Sequence, residues 1–205
     1  TLARSLAKKL RFDYLDTGLL YRSVALSAKT QGIIDFEIDV EKGISSNVNK
    51  NKLNRIASLL KLPLIDEPGL REQEISLLAA KIANLPEVRN ILLKKQRLFA
   101  NQPPSKAGVV MDGRDIGTVI IPEANFKFFI DAKAEIRAKR RYAELKKLNK
   151  AVSEQSILED INKRDTSDWT RQTAPLKRLP NALFIDSTSL NADEVLQIAL
   201  NYING

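Results

Sequence analysis

Two acidic residues and an arginine follow one short apolar run, in the sequence Gly-Val-Val-Met-Asp-Gly-Arg-Asp-Ile-Gly-Thr at 108–118. Residues 109–111 are apolar and partly β-branched, which predicts a buried parallel β-strand. Open α/β sheets bind ligands at the carboxyl ends of their strands, so Asp112, Arg114 and Asp115 are expected to line a ligand site. A tight turn whose acids cap the next helix and pair with the arginine explains the same residues equally well.

A second candidate site lies on a predicted helix that begins after Ser153, a residue type favoured at the N-cap. Ile157 and Ile161 mark its buried face, and steps of three and four residues continue that face to Arg164, Asp168 and Arg171. Ion pairs at a solvated helix end would each contribute only about 0.2–0.5 kcal/mol. The functional alternative is a flap that closes over a polyanion, because arginine makes bidentate, permanently charged contacts with phosphate.

The preceding predicted helix, at about 134–150, carries three more arginines to which both interpretations apply: Arg137, Arg140 and Arg141. The formal net charge of the chain is +8, and this suits a polyanionic partner such as a nucleic acid or a nucleotide. A plain basic surface accounts for the charge as well.

Composition narrows the classes of chemistry that the chain can perform. The 205 residues include 43% hydrophobic residues, enough for one domain with a sizeable core. The absence of cysteine and histidine excludes disulfides, thiolate sites, histidine bases and triads that depend on histidine. The sequence shows neither a signal-peptide pattern nor an apolar run near the ~20 residues that cross a bilayer, so we expect a cytoplasmic protein.

Four short apolar runs each end in an aspartate and precede a predicted helix; these aspartates are Asp16, Asp112, Asp131 and Asp186. Strands that alternate with helices predict an α/β fold with a parallel sheet flanked by helices. Helix capping is part of the expected role of each aspartate, and for Asp131 and Asp186 we predict little else. The stretch 33–70, which has helical spacing near 53–60 and breaks at Pro63 and Pro68, is predicted to be an insertion outside the sheet.

Taken together, four segments resemble the bacterial cytidylate (CMP) kinases. They are Asp-Thr-Gly-Leu-Leu-Tyr-Arg (16–22), Pro-Glu-Val-Arg (86–89) with Gln96-Arg97, Asp-Gly-Arg-Asp-Ile-Gly-Thr (112–118), and Arg-Asp-Thr-Ser-Asp-Trp-Thr-Arg (164–171) with Ala-Pro-Leu (174–176). Their order and spacing match the family pattern across essentially the whole chain, and the combination of the third segment with the fourth is specific to this family. The resemblance implies a single P-loop kinase domain, with a core at 1–32, 87–137 and 176–205, an acceptor-binding insertion at about 33–86 and a helical lid at about 138–175.

Kinases of this family transfer the γ-phosphoryl group of Mg·ATP to CMP or dCMP and form CDP or dCDP. The acceptor phosphate is already an anionic nucleophile, so positioning and charge neutralisation can carry catalysis without histidine. The resemblance therefore implies ATP and Mg²⁺ as donor and cofactor, CMP or dCMP as acceptor, and a monomer with neither a nucleic-acid nor a membrane partner.

The resemblance also implies a role for each matching site residue. The acceptor phosphate would contact Thr17 and Arg22, with Tyr21 beside them, and Arg114 would be a further phosphate ligand. The cytosine would face Arg89 and Asp115, and the ribose would contact Arg164 and Asp168. The lid would close on phosphates with Arg171, Arg137 and Arg140 or Arg141, and Asp112 would be the acidic group near hydrated magnesium.

Two positions depart from the family pattern. The glycine-rich loop G-x-x-x-x-G-K-[ST] does not occur, and Thr1 corresponds to the position just after its lysine, the hydroxyl on the magnesium side. The first strand and the phosphate loop are therefore expected to precede residue 1. Ala80 occupies a position where the family offers a serine to the base, which leaves UMP or a small metabolite open as acceptor. A basic RNA-binding module and a nucleotide-binding regulator without catalysis are further alternatives.

Overall fold

The computed structural model describes residues 2–33, 47–64, 67, 69–147 and 152–205. The prediction for Thr1 lies outside these residues, as do Pro68 and parts of the predicted insertion and lid. The chain divides into two compact units, which we call the N-terminal unit (7–113) and the C-terminal unit (1–6 with 114–205).

Helices and strands alternate along the described chain, as the sequence predicts. Their bounds are α1 Leu2–Leu10, β1 Asp13–Asp16, α2 Thr17–Thr30, α3 Asn47–Leu59, α4 Gln73–Ile82, α5 Pro86–Asn101, β2 Val109–Asp112, β3 Phe128–Asp131, α6 Ala134–Lys147, α7 Glu154–Thr170, β4 Leu183–Asp186 and α8 Ala192–Asn204. Strand β1 pairs with β2, and β3 with β4, both in parallel. The predicted α/β class, with parallel strands flanked by helices, is confirmed.

The N-terminal unit has its core where α2, α3, α4 and α5 pack together. Its fully buried side chains include Leu20, Val24, Leu53, Leu78 and Leu92. Burying each such aliphatic side chain contributes about 1.5–3 kcal/mol of transfer free energy. The apolar spacing seen in the sequence thus becomes the internal face of each helix and holds the ends of β1 and β2 in place.

Strand β2 is less buried than its sequence predicts. All four residues of Val109–Asp112 are half-buried, because β2 pairs with β1 alone among the described strands. The glycine before it is required by close packing: a Cβ on Gly108 would lie 2.7 Å from the ring of Phe12, and its φ is 148°. Register pairs Asp16 with Asp112, so both aspartates lie at one edge of this sheet.

In the C-terminal unit, helices lie against the parallel pair β3–β4, and α6 packs against α7. Ile157 on α7, Ala138 on α6, Ile185 on β4 and Val195 on α8 are buried. The predicted N-cap of α7 is confirmed, since the Ser153 hydroxyl accepts from the Ser156 N–H at 3.0 Å. No described helix is long and apolar enough to cross a membrane.

Capping is confirmed for one of the four strand-end aspartates and wrong for another. The Asp16 carboxylate caps α2 by accepting from the Gly18 N–H at 3.1 Å. Helix α8 is capped instead by Asn191, which forms a reciprocal capping box with Glu194. Asp186 is five residues too early to reach that helix end. Its carboxylate accepts from Thr188, and these hydrogen bonds lower the pKa of Asp186.

A single π-helical turn, Ile116–Ile120, follows the Gly-Arg-Asp sequence and was not predicted. The Asp115 carbonyl accepts from the N–H groups of Val119 and Ile120, while the Asp115 side chain makes no capping bond to this turn. The interpretation of Asp115 as a simple helix cap is therefore wrong. Short π-helical turns occur frequently at functional sites because they displace side chains from the regular helical positions.

Candidate functional site

The strand ends of the N-terminal unit are joined by Thr17, the first residue of α2. Its hydroxyl donates to the Asp112 carbonyl at 2.9 Å, and the residue is only 5% exposed. Since Asp16 and Asp112 are register partners, this bond ties the start of α2 to the end of β2. The structure thus brings together two of the segments that carry the family resemblance.

Two predicted arginines of the same unit are half-buried and contact the backbone of neighbouring segments. The Arg22 guanidinium donates to the Leu70 carbonyl at 3.4 Å, and the Arg89 guanidinium donates to the Ala83 carbonyl at 3.3 Å. Tyr21, beside Arg22 on α2, is half-buried too. These contacts orient the side chains, while their predicted contacts with phosphate and base stay predictions.

Sequence reasoning missed Arg71 in this unit. Its guanidinium lies 3.8 Å from the Asp16 carboxylate, at the end of β1 where the acceptor phosphate was predicted. In the sequence, only its position just after the turn signal Pro68-Gly69 distinguished Arg71 from other surface arginines. Ala80, the departure from the family pattern, lies on α4 and is exposed.

A cavity of about 550 Å³ lies elsewhere in the N-terminal unit, between α2 and α3. Its lining includes Ser27, Lys52, Arg55 and Leu59, and none of its lining residues is a predicted site residue. We therefore place no part of the candidate site there.

In the C-terminal unit, Asp168 is the centre of an arginine cluster. The Arg114 Nε donates to its carboxylate at 2.6 Å, and Arg171 and Arg164 lie 3.6 and 3.9 Å from it. Asp168 and Arg171 are largely buried, at 13% and 17% side-chain exposure, whereas Arg164 is 58% exposed. The structure therefore brings Arg114 of the Gly-Arg-Asp turn to the ionic face of α7, while the pairs of Asp168 with Arg164 and Arg171 are those that the structural interpretation also expects.

Asp165 was missed, although it pairs with an arginine of α6 across the contact between α7 and α6. Its two carboxylate oxygens accept from Arg137 Nη1 and Nη2 at 3.0 and 2.6 Å, a bidentate pair. The signal was present in the spacing: a step of four from Ile161 reaches Asp165, and a step of three reaches Arg164. The pKa of Arg137 is raised, chiefly by the hydrogen bond to Asp165; burial opposes the rise, and nearby carboxylates add to it.

The two remaining arginines of α6 are not brought to the Asp168 cluster. Arg140 donates to the carbonyls of Ser187 and Leu190 at 2.7 and 2.9 Å and so holds the loop between β4 and α8. Arg141 pairs with Glu144, one turn along its own helix, at 2.7 Å. The structure thus gives Arg140 a structural contact, and the predicted phosphate contacts of Arg140 and Arg141 stay untested.

The segment that follows α7 holds a strained residue beside the arginine cluster. Ala174 has a φ of 49°, in the left-handed region that non-glycine residues rarely adopt. The Arg171 Nε donates to the Ala174 carbonyl at 2.8 Å, and the Leu176 N–H donates to the Asp168 carbonyl at 2.7 Å. These bonds fix the sequence Ala-Pro-Leu against the cluster, so the two parts of the fourth matching segment, 164–171 and 174–176, form one structural feature.

Asp112, at the end of β2, is suited to hold magnesium. Asp112 offers a half-buried carboxylate, and within the described parts of the chain no three acidic, cysteine or histidine residues form a group that could hold a metal by themselves. Mg²⁺ commonly keeps several waters and binds through one or two carboxylates together with substrate phosphates. The single carboxylate of Asp112 at the strand end matches this mode of magnesium coordination.

A parallel α/β fold whose strand ends and neighbouring helices carry oriented arginines defines a class of phosphate-binding proteins. Comparison with known proteins narrows the class: the sequence model of the cytidylate kinase family matches residues 1–205. Proteins named cytidylate kinase are similar to this chain at 42% identity in Bartonella bacilliformis, 41% in Vibrio cholerae and 40% in Caldanaerobacter subterraneus. The matches cover 100%, 99% and 96% of this chain and 88%, 89% and 85% of those proteins. The chain belongs to the cytidylate kinase family.

Proposed function

We propose that this phosphotransferase moves the γ-phosphoryl group of Mg·ATP to the phosphate of CMP and of dCMP, giving CDP and dCDP. The family supports the kinase activity and CMP as acceptor. One structural observation carries the assignment to particular residues. The 2.6 Å contact between Arg114 and Asp168 joins two motif segments 54 positions apart in the sequence, and the family resemblance implies nucleotide binding by both segments.

Each group of residues would perform one task in the transfer. Arg22 would bind the acceptor phosphate, beside Thr17 and Tyr21, and Arg114 would bind a further phosphate oxygen. Arg89 and Asp115 would select the base. Guanidinium groups suit these positions because they remain charged at every physiological pH and offer several N–H donors to phosphate.

The ionic face of α7 would hold the ribose and close over the phosphates. Asp168 accepts hydrogen bonds only, so it would take the ribose hydroxyls as donors while Arg164 lies alongside. Arg137 and Arg171 would stabilise the negative charge that spreads over the transferring group in the transition state. Closure of these side chains over the substrates would exclude water, which would otherwise accept the phosphoryl group.

Magnesium would be held near Asp112 through its bound waters, with ATP phosphates as its other ligands. When bound, the ion supplies charge neutralisation on the donor phosphates. The predicted contribution of the Thr1 hydroxyl remains part of this proposal. A cytoplasmic location and a monomeric state also remain predictions.

The acceptor preference can be tested by calorimetric titration of the protein with CMP, dCMP, UMP and AMP at two salt concentrations. We expect CMP and dCMP to bind more tightly than UMP, with a dependence on the base that exceeds the dependence on salt. Equal binding of CMP and UMP would indicate that Ala80 leaves the base site relaxed. Binding of RNA that weakens steeply with salt, with no preference among mononucleotides, would contradict the proposal and favour a nucleic-acid-binding module.

A further inference from the structure

Two anchors fix the guanidinium of Arg137, and one of them is a residue to which the family resemblance assigned no role. The Arg137 Nε donates to the Ala132 carbonyl at 2.8 Å, and both Nη atoms donate to the Asp165 carboxylate. A guanidinium has five N–H donors, so three are used by these contacts. In the described part of the chain, no further acceptor engages the other two.

The first anchor places this guanidinium at the carboxyl end of a parallel strand. Ala132 directly follows β3, and the Ala132 N–H donates to the Asp131 carboxylate at 2.8 Å. Such strand ends are where open α/β sheets bind their ligands. The two remaining N–H donors of Arg137 therefore lie at an edge of the sheet suited to an anionic ligand.

The second anchor comes from the other helix of the pair. Asp165 lies on α7 and Arg137 on α6, and both side chains are about one-third exposed, at 34% and 32%. An ion pair this exposed typically contributes little to stability. Its bidentate geometry nevertheless fixes the plane of the guanidinium, which a single anchor at Nε would leave free to turn.

We propose that Asp165 is a positioning residue for phosphoryl transfer, which holds the Arg137 guanidinium in the orientation that offers one of its remaining N–H donors to the transferring phosphoryl group. This inference rests on the proposed function and deepens it. Asp165 itself touches no substrate. Its contribution is to fix Arg137 before the transition state forms, so that no reorganisation is needed when charge develops on the phosphoryl oxygens.

The opposite role for Asp165 is that of a competitor. A carboxylate can bind an arginine in place of a phosphate and so compete with the substrate for that arginine. Removal of a competitor would raise nucleotide affinity or turnover, whereas removal of a positioning group lowers turnover. The two roles therefore predict opposite signs for the same substitution.

The test is a double-mutant cycle in steady-state kinetics with Mg·ATP and CMP, using Asp165→Asn, Arg137→Lys and the double variant. Asp165→Asn keeps the shape of the side chain but loses the charge and one acceptor oxygen. Arg137→Lys keeps the charge but loses the paired N–H donors that make the bidentate contact. Glu159→Gln is the matched control, because it neutralises an exposed acid on the same helix whose contact is to Gln155. Thermal unfolding of each variant is measured in parallel.

We expect Asp165→Asn to lower kcat about tenfold or more, as is typical when the partner that orients an active group is lost. The KM for CMP should change by less than about twofold, because uniform binding is retained. In the Arg137→Lys background the same change should have no further effect on kcat. Asp165→Glu should recover part of the lost turnover, and Glu159→Gln should match the parent protein.

Three results would overturn the proposal. An unchanged kcat with a lowered melting temperature would make the pair purely structural, and a raised kcat or tighter binding would make Asp165 a competitor. Fully additive losses would show that Asp165 acts independently of Arg137. Each of these requires an active parent protein, so they differ from the failure of the proposed function, which would appear as no CDP formed by the parent and would remove this role as well.

Discussion

The two units of the chain hold their predicted site residues in different ways. In the N-terminal unit, Thr17, Arg22 and Arg89 donate to backbone carbonyls, those of Asp112, Leu70 and Ala83. In the C-terminal unit, three predicted phosphate ligands contact carboxylates of one helix: Arg114 and Arg171 lie at Asp168, and Arg137 lies at Asp165.

This difference separates two physical tasks. A backbone carbonyl carries no net charge, so a bond to it orients a side chain in a position that the folded backbone determines. A carboxylate both orients an arginine and offsets its charge, and the strength of that pair depends on salt, burial and the approach of another anion. We therefore expect the N-terminal contacts to control which acceptor binds, and the C-terminal contacts to control how fast transfer proceeds.

The largest expected effect is at Arg114. Arg114→Ala removes a guanidinium that is predicted to bind phosphate, and loss of one such oriented donor typically lowers the rate roughly 100- to 1,000-fold. We expect a loss of that size in kcat/KM for CMP, measured in a coupled assay. Arg178→Ala, which removes an arginine stacked over Phe184 in the same unit, is a matched control for charge. An equal loss in both variants would mean that net charge, rather than position, matters.

Asp168→Ala and Arg164→Ala test the ribose contact. Each should raise the KM for CMP without unfolding the protein, by roughly 10- to 100-fold for Asp168, since a hydrogen bond to a charged group contributes about 1.5–3 kcal/mol. Arg164 is 58% exposed and 3.9 Å from its partner, so its pair should add little to stability. Titration with CMP and thermal unfolding together check both statements. Unchanged CMP affinity in both variants would contradict the assignment of this helix face.

Arg140→Ala should alter stability more than binding. Its guanidinium holds the carbonyls of Ser187 and Leu190, so we expect the free energy of unfolding to fall by about 1–2 kcal/mol in urea denaturation. The adjacent Arg141→Ala should change it by only a few tenths of a kcal/mol, because an exposed pair one turn along a helix is weak. Equal effects at the two positions would contradict the structural role of Arg140.

The smallest expected effect is at the exposed Ala80. Ala80→Ser adds the hydroxyl that the family pattern offers to the base, and one neutral hydrogen bond contributes about 0.5–1.5 kcal/mol. We expect the preference for CMP over UMP to rise about two- to tenfold, with kcat for CMP unchanged. The ratio of kcat/KM values for the two acceptors measures this. A change in turnover without a change in preference would show that this position does not face the base.

The fold could be predicted from the sequence where local signals agreed. The apolar runs before Asp16, Asp112, Asp131 and Asp186 became strands, and Ser153 caps the helix it was expected to cap. Cap assignment failed at Asp186 because Asn191 lies nearer to the helix and has Glu194 three residues on. The sequence pattern locates an acid after a strand, but the length of the following turn decides whether it reaches the helix.

The site could be predicted only in part, for a geometric reason. Helical spacing allows a step of three or four, so the face that contains Ile157 and Ile161 continues to either Arg164 or Asp165. The structure places Asp165 against Arg137 and leaves Arg164 more exposed. That choice depends on how α6 and α7 pack, and the pattern of one helix does not contain it.

Competition among acceptors is the most direct test of the central claim. The protein is incubated with Mg·ATP and an equimolar mixture of CMP, dCMP, UMP and AMP, each of the four acceptors carrying a radiolabel in its base, and the labelled diphosphates are separated and quantified over time. The label distinguishes ADP made from AMP from the ADP that ATP releases in every transfer. The account predicts that labelled CDP and dCDP form first and that labelled UDP and ADP lag well behind. Diphosphate formation at equal rates from all four acceptors, or from UMP or AMP ahead of CMP, would contradict it.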